Sequence, residues 1–203
     1  WLKPFCSESH PEPVPATAPT AQRSLHASLS RPALPAMPKA AGSRSVALAT
    51  DCSGMETPVM ALQNLGVPID HVFSCDVNRH ANVSRHAKTT ILENFPPKIF
   101  FDDLTIRNNA VAPKADLYVA GFPCQPFSTA GLQQGFNDAR GRGEIFWHVR
   151  DYIEKQLPRA FVLENVSGLV KINGGEYFRA IMQALEAMGQ YNVYAKILDT
   201  KEH

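Results

Sequence analysis

Val46-Ala47-Leu48-Ala49-Thr50-Asp51-Cys52-Ser53-Gly54-Met55-Glu56-Thr57-Pro58 reads as a short apolar strand, a tight turn and the opening of a helix. Thr57 can cap that helix, Pro58 suits its first position and Gly66 sits just past its end, which predicts a helix over residues 58–65. A turn of small residues ahead of a helix lets a ligand approach the backbone, and the helix start offers unpaired N–H groups. Downstream the alternation repeats. Apolar runs predict strands at Val46–Asp51 and at residues 71–76, 98–101, 116–121, 160–164 and 192–198. Amphipathic stretches predict further helices over residues 79–94, 144–156 and 176–188; in the last, Phe178, Ile181, Met182, Leu185 and Met188 recur at helical spacing. This rhythm implies an α/β fold, a doubly wound and mostly parallel sheet with helices on both faces. Ligands in such sheets bind beyond the carboxyl ends of the strands.

Upstream of residue 45 the composition changes. Residues 1–44 hold eight of the 16 prolines, with many Ala, Ser and Thr and few acids. Such a segment buries too little apolar surface to offset the entropy of ordering it. It reads as a disordered Pro/Ala/Ser-rich linker or leader, a transit peptide being the other option for an acid-poor leader. Residues 45–203 read as the folded domain. Trp1 stands where an initiating Met would, so the sequence is expected to continue upstream. Across all 203 residues, 44% are hydrophobic and the net charge is +1, which favours a packed core and argues against a strongly basic nucleic-acid coat. No apolar run approaches the roughly 18 residues a membrane span needs. Cys6, Cys52, Cys75 and Cys124 are widely spaced with no Cys-x-x-Cys pair, so neither a metal site nor a disulfide framework is expected and a reducing, intracellular compartment fits.

Three acidic strand ends suggest a nucleoside-containing cofactor. Asp76 follows the first turn by about twenty residues, where a carboxylate can accept hydrogen bonds from a ribose or simply face solvent. Of Asp102 and Asp103, one can accept from an adenine amino group, or either can cap a turn. The fourth strand end is Val119-Ala120-Gly121-Phe122-Pro123-Cys124-Gln125-Pro126-Phe127-Ser128. Two prolines restrict the backbone around Cys124 and present its thiol at the ligand edge. Cysteine is intrinsically a strong nucleophile even when mostly protonated. The fifth strand ends in Leu163-Glu164-Asn165-Val166, on a neighbouring strand in such a sheet. A carboxyl ending an apolar strand is expected to be desolvated, with a raised pKa and a proton to donate. Thiolate attack beside a carboxylic acid suits addition to an electron-poor ring.

The Gly-Phe-Pro-Cys-Gln-Pro-Phe-Ser string at 121–128, Gly135-Phe136-Asn137-Asp138-Ala139-Arg140-Gly141 and Glu164-Asn165-Val166 occur in the order and spacing of one family. From about residue 46 to 203 the chain resembles the N-terminal part of a C5-cytosine DNA methyltransferase catalytic domain. The resemblance implies S-adenosyl-L-methionine as cofactor and DNA as partner, with the target cytosine flipped from the duplex. By the same resemblance Cys124 adds to cytosine C6 and Glu164 contacts N3 and the exocyclic amine. Asp76 meets the cofactor ribose, and Asp103 with Leu104 its adenine. Gly54, Met55, Gly121, Pro123 and Ile145 line the cofactor pocket. Gln125, Ser128, Arg140, Arg142 and Asn165 face the DNA substrate. A nuclear location follows if the source is eukaryotic, with an organelle the alternative the leader leaves open.

Two departures from the family pattern stand out. Cys52 occupies the place of an adenine-packing aromatic residue, and Glu56-Thr57 stands where further glycines are usual. Family members also carry, beyond the position of His203, a glutamine-and-arginine motif, a target-recognition region and a final cofactor-binding segment. The expectation is therefore that these 203 residues are a fragment with little turnover of their own and a tendency to aggregate. Two other readings remain: a catalytically degenerate DNA-binding or regulatory homologue, and the same chemistry on tRNA.

Overall fold

The computed structural model describes residues 44–77, 84–123 and 142–199. The leader over residues 1–44 lies outside the described residues except at its last position, as do Cys124, Gln125, Ser128 and Arg140, and Arg142 is described in its backbone alone.

The order of elements is β1 (Val46–Asp51), α1 (Thr57–Asn64), β2 (Ile69–Cys75), α2 (Ser84–Asn94), β3 (Ile99–Phe101), β4 (Leu117–Ala120), α3 (Ile145–Gln156), β5 (Ala160–Leu163) and α4 (Glu176–Glu186). The five strands form one sheet in the order β3-β2-β1-β4-β5, and every pairing is parallel. The chain lays down β1, moves outward through β2 and β3, then returns to the other side of β1 for β4 and β5. That reversal puts a switch point between the carboxyl ends of β1 and β4, where loops leave in opposite directions and open a crevice.

Side chains alternate across the sheet, so each central strand feeds two cores. Ala49, Phe73 and Tyr118 lie side by side in register, and all three are fully buried with Phe146, Val149, Tyr152 and Ile153 of α3 and Ile181 and Leu185 of α4. Phe73 and Tyr118 meet the Tyr152 ring at centroid distances of 5.3 and 4.5 Å. Burying side chains of this size contributes about 1.5–3 kcal/mol apiece, which makes the α3 layer the larger stabilising face. The opposite face carries Leu48, Thr50 and Ser74, and α1 enters there through Glu56, whose carboxylate accepts hydrogen bonds from Thr50 and Ser74.

The sequence reading needs three corrections. The helix expected at 58–65 begins one residue earlier, and Thr57 does not cap it: the capping position is Glu56, which makes no side-chain cap bond. Its hydroxyl-bearing neighbour is displaced into the helix because Glu56 takes a left-handed conformation and turns the chain sooner. The helix expected at 176–188 ends at Glu186. Residues 192–198 form no strand, although Val193, Tyr194, Ile197 and Leu198 have strand-like side chains. Tyr191 still docks, stacking edge-on to Phe161 at 4.9 Å and donating to the Pro158 carbonyl at 2.7 Å. Beyond it the segment has no ladder partner among the described residues, and Tyr194 is 88% exposed. Strand propensity without a paired edge does not make a strand.

Candidate active site

The turn after β1 is built on three left-handed residues, Cys52 (φ 53°), Gly54 (φ 55°) and Glu56 (φ 58°). For glycine this conformation is free, whereas for the other two it costs about 1 kcal/mol or more each and persists only where the surroundings enforce it. The enforcement is visible. Ser53 packs its hydroxyl 2.7 Å from Thr50 Oγ1 and accepts from the Cys75 N–H at 3.1 Å, while its own N–H donates to the Cys75 carbonyl. Glu56 is wholly buried; its Oε1 accepts from Thr50 Oγ1 at 2.7 Å and from Ser74 Oγ at 2.5 Å, with His71 Nε2 3.5 Å away. The product of this bracing is one exposed geometry: the Gly54 N–H donates to Asp76 Oδ2 at 2.7 Å, across the exits of β1 and β2.

Asp76 is half-buried there. Burial pushes its carboxyl above the usual range, the Gly54 N–H works the other way, and the Glu56 carboxylate adds to the rise. No atom lies within 4 Å of where a Cβ would stand on Gly54, so the space over the turn is open. Met55 projects from its tip, 64% exposed. Leu104 is buried beneath the next loop. Asp103 Oδ1 accepts from both the N–H and the hydroxyl of Thr105, at 2.8 and 2.7 Å, so it does cap its turn. Asp102 pairs with Lys88 at 2.5 Å on the surface.

The ends of β1, β4 and β5 converge on Gly121. A Cβ there would lie 3.5 Å from Glu164 Oε2 and 4.0 Å from the Cys52 carbonyl oxygen, ordinary contact distances that show how near the three strand ends come to one another. Glu164 is brought to this place by the ladder, its N–H donating to the Ala120 carbonyl at 3.0 Å. The side chain is exposed, contrary to the desolvated site expected from the sequence. β5 is the last strand of the sheet, and an edge strand leaves its terminal side chain in water. Asn165 fastens the two loops together: Nδ2 donates to the Phe122 carbonyl at 3.0 Å and Oδ1 accepts from Val166 at 2.9 Å. That bond fixes the backbone immediately before Pro123 and Cys124. Ile145 starts α3 and packs half-buried against the core. Among the described residues no cluster of three or more His, Cys, Asp or Glu side chains is arranged to hold a metal ion, and no helix is long and apolar enough to cross a membrane.

Comparison with known proteins matches these features to one family. The model of the C-5 cytosine-specific DNA methylase family covers residues 50–203. The chain belongs to that family. Its relatives include the type II methyltransferase M.NgoBI of Neisseria gonorrhoeae, 39% identical over 116 residues, which are 57% of this chain and 35% of the relative. M.HaeII of Haemophilus aegyptius is 37% identical over 128 residues, 63% of this chain and 39% of its own. M.BanI of Aneurinibacillus aneurinilyticus reaches 46% over 88 residues, 43% of this chain and 20% of its own. The chain thus spans between a fifth and two fifths of the length of these relatives. Its five-stranded parallel sheet with flanking helices is the α/β, Rossmann-like arrangement of a methyltransferase.

Within this methylase framework the structure adds residues that the sequence did not single out. Asp51 and Arg107 form a buried two-pronged ion pair at 2.6 Å on both prongs, and the Tyr118 hydroxyl donates to the same carboxylate. The guanidinium lies over the rings of Phe73, Phe101 and Tyr152 at 4.7–5.2 Å. An aspartate at the tail of an apolar strand was the available signal, because a buried carboxylate requires a cation from somewhere. Thr50 and Ser74, hydroxyls inside apolar strands, were the corresponding sign of Glu56.

Proposed function

We propose that the chain is the cofactor- and nucleophile-bearing part of a DNA cytosine-5 methyltransferase, with residues 45–203 as its catalytic-domain portion. The observation that carries the reading is the convergence at Gly121, where Glu164 and the turn after β1 meet three residues before Cys124. The residues around the turn fit S-adenosyl-L-methionine. Asp76 offers a carboxylate for ribose hydroxyls, the Gly54 backbone is open above, and Leu104 and Ile145 supply apolar surface. When bound, that cofactor supplies an electrophilic methyl group on a sulfonium.

The remaining chemistry belongs to the side chains. Cys124, as thiolate, donates its electron pair to C6 of a flipped cytosine, and the ring's electrons shift toward C5 and N3. Glu164 hydrogen-bonds N3 and the amino group and stabilises the charge that arrives there. After methylation at C5, loss of the C5 proton to a base returns electrons to the ring and expels the cysteine. An exposed Glu164 suits this role only once DNA covers it, because water withdrawal is what strengthens its hydrogen bond to the ring. Gln125, Ser128, Arg140 and Arg142 contact the DNA strand, and Asn165 acts on it through the loop it holds. The compartment is one that contains DNA: the nucleus, an organelle or a bacterial cytoplasm.

Covalent trapping tests this reading. Joined to the C-terminal part that family members carry, and incubated with S-adenosyl-L-methionine and duplex DNA carrying 5-fluorocytosine, the chain is expected to form a denaturant-stable adduct that Cys124→Ser abolishes and Glu164→Gln slows about 100-fold or more. Adduct formation that survives Cys124→Ser rejects the assignment. Cofactor binding without any adduct supports the binding-only homologue instead.

A further inference from the structure

We infer that Glu56 is the positioning residue of the cofactor turn: its buried carboxylate ties the turn to β1 and β2 and thereby holds the Gly54 N–H on Asp76. The inference rests on the reading of Gly54 and Asp76 as the nucleoside site. Where the family pattern leads one to expect glycine, this chain has a charged side chain in a left-handed conformation. A glycine would adopt that conformation without cost, but it would also leave the turn free to adopt others. Glu56 gives up that ease and obtains rigidity. Oε1 collects hydroxyl donors from two neighbouring strands, Thr50 on β1 and Ser74 on β2. Its N–H donates to the Ser53 carbonyl at 2.9 Å, and its carbonyl accepts from Met60 at 3.2 Å, the first turn of α1. The residue thus links both strands whose exits bracket the Gly54–Asp76 bond, and it also starts the helix.

Both strand contacts converge on one carboxylate oxygen. Oε2 is buried and, among the described residues, has no hydrogen-bond partner. One acceptor atom, placed to receive two hydroxyls from two strands, is what positioning the turn requires. His71 Nε2 bonds Ser74 Oγ at 3.0 Å and keeps that hydroxyl aimed.

The test uses the whole chain and two readouts besides activity: calorimetric affinity for S-adenosylhomocysteine, and amide hydrogen exchange at Gly54 without ligand. Glu56→Gly is expected to weaken binding about tenfold, the effect of losing hydrogen bonds to a charged acceptor, and to speed Gly54 exchange. Glu56→Gln keeps one oxygen to receive both hydroxyls and is expected to restore both readouts to within about threefold. Ser74→Ala, a milder cut, is expected to shift both in the direction of Glu56→Gly and decides the matter should that variant not fold. Leu185→Ala, destabilised in the distant α3–α4 layer, is expected to leave both readouts unchanged. Glu56→Gly with unchanged affinity and unchanged Gly54 exchange overturns the inference. If the parent chain fails to bind S-adenosylhomocysteine even when joined to the family's final cofactor-binding segment, the cofactor reading falls, while exchange at Gly54 still decides the role of Glu56.

Discussion

Two thiols and a carboxyl under the turn differ from the same groups in water. Burial pushes the Cys52 and Cys75 thiols well up, and Asp51 reinforces the shift in both. A raised pKa holds both as thiols at neutral pH, and a thiol is a far weaker nucleophile than the thiolate proposed for Cys124. Iodoacetamide at neutral pH is expected to leave Cys52 and Cys75 unmodified in the folded chain and to label both once it is denatured, as peptide mass spectrometry would show. Asp76 titrates in the opposite sense from a salt-bridged acid. Because folding raises its pKa, its contribution to stability is fully present below the unfolded carboxylate range and is lost as pH rises through the folded value. At neutral pH its charge is held against burial. Asp76→Asn keeps an oxygen for the Gly54 N–H while removing that charge. Its melting temperature relative to the parent is expected to be most favourable at neutral pH and to lose this advantage on acidification into the carboxylate range. A pH-independent difference would show that burial of the charge is not the cause.

Between elements, the side-chain amide of Asn165 fastens the loop after β5 to the loop after β4. Asn165→Ala removes the bond to the Phe122 carbonyl and is expected to cost about 1 kcal/mol of stability, the net worth of one hydrogen bond. Loosening of the backbone before Cys124 should slow adduct formation more than it weakens cofactor binding. Equal loss in both would mean that Asn165 acts on the fold at large. The helix α4 illustrates a different dependence. Its Ile181 and Leu185 are legible as an apolar stripe, and they bury against the sheet as such a stripe should. The 192–198 segment has comparable apolar content and forms no strand, because a helix closes its own hydrogen bonds whereas a strand depends on an edge supplied by its neighbours.

Across the whole molecule, the Asp51–Arg107 pair joins β1 to the loop after β3 and, through Tyr118 and the ring of Tyr152, to β4 and α3. Both side chains are 2% exposed or less. Removing one partner leaves an uncompensated buried charge, so Arg107→Met is expected to destabilise by about 3–5 kcal/mol in chemical denaturation. Adding Asp51→Asn should recover much of that loss, because the cost lies in the stranded carboxylate rather than in a missing attraction. Non-recovery in the double variant would place the effect in lost packing of the guanidinium against Phe73, Phe101 and Tyr152.

The amino-acid sequence by itself determined the alternation of strands and helices, the parallel sheet, the strand-end positions of Asp76 and Glu164, and the family. Those properties reside in local periodicity and in short strings whose residues are neighbours along the chain. Tertiary structure alone decided that Glu164 is exposed, that Glu56 and not Thr57 holds the capping position of α1, that 192–198 forms no strand, and that Arg107 neutralises Asp51 from 56 residues away. Each of these depends on which groups the fold brings together, and burial and charge compensation are properties of that assembly rather than of any one stretch.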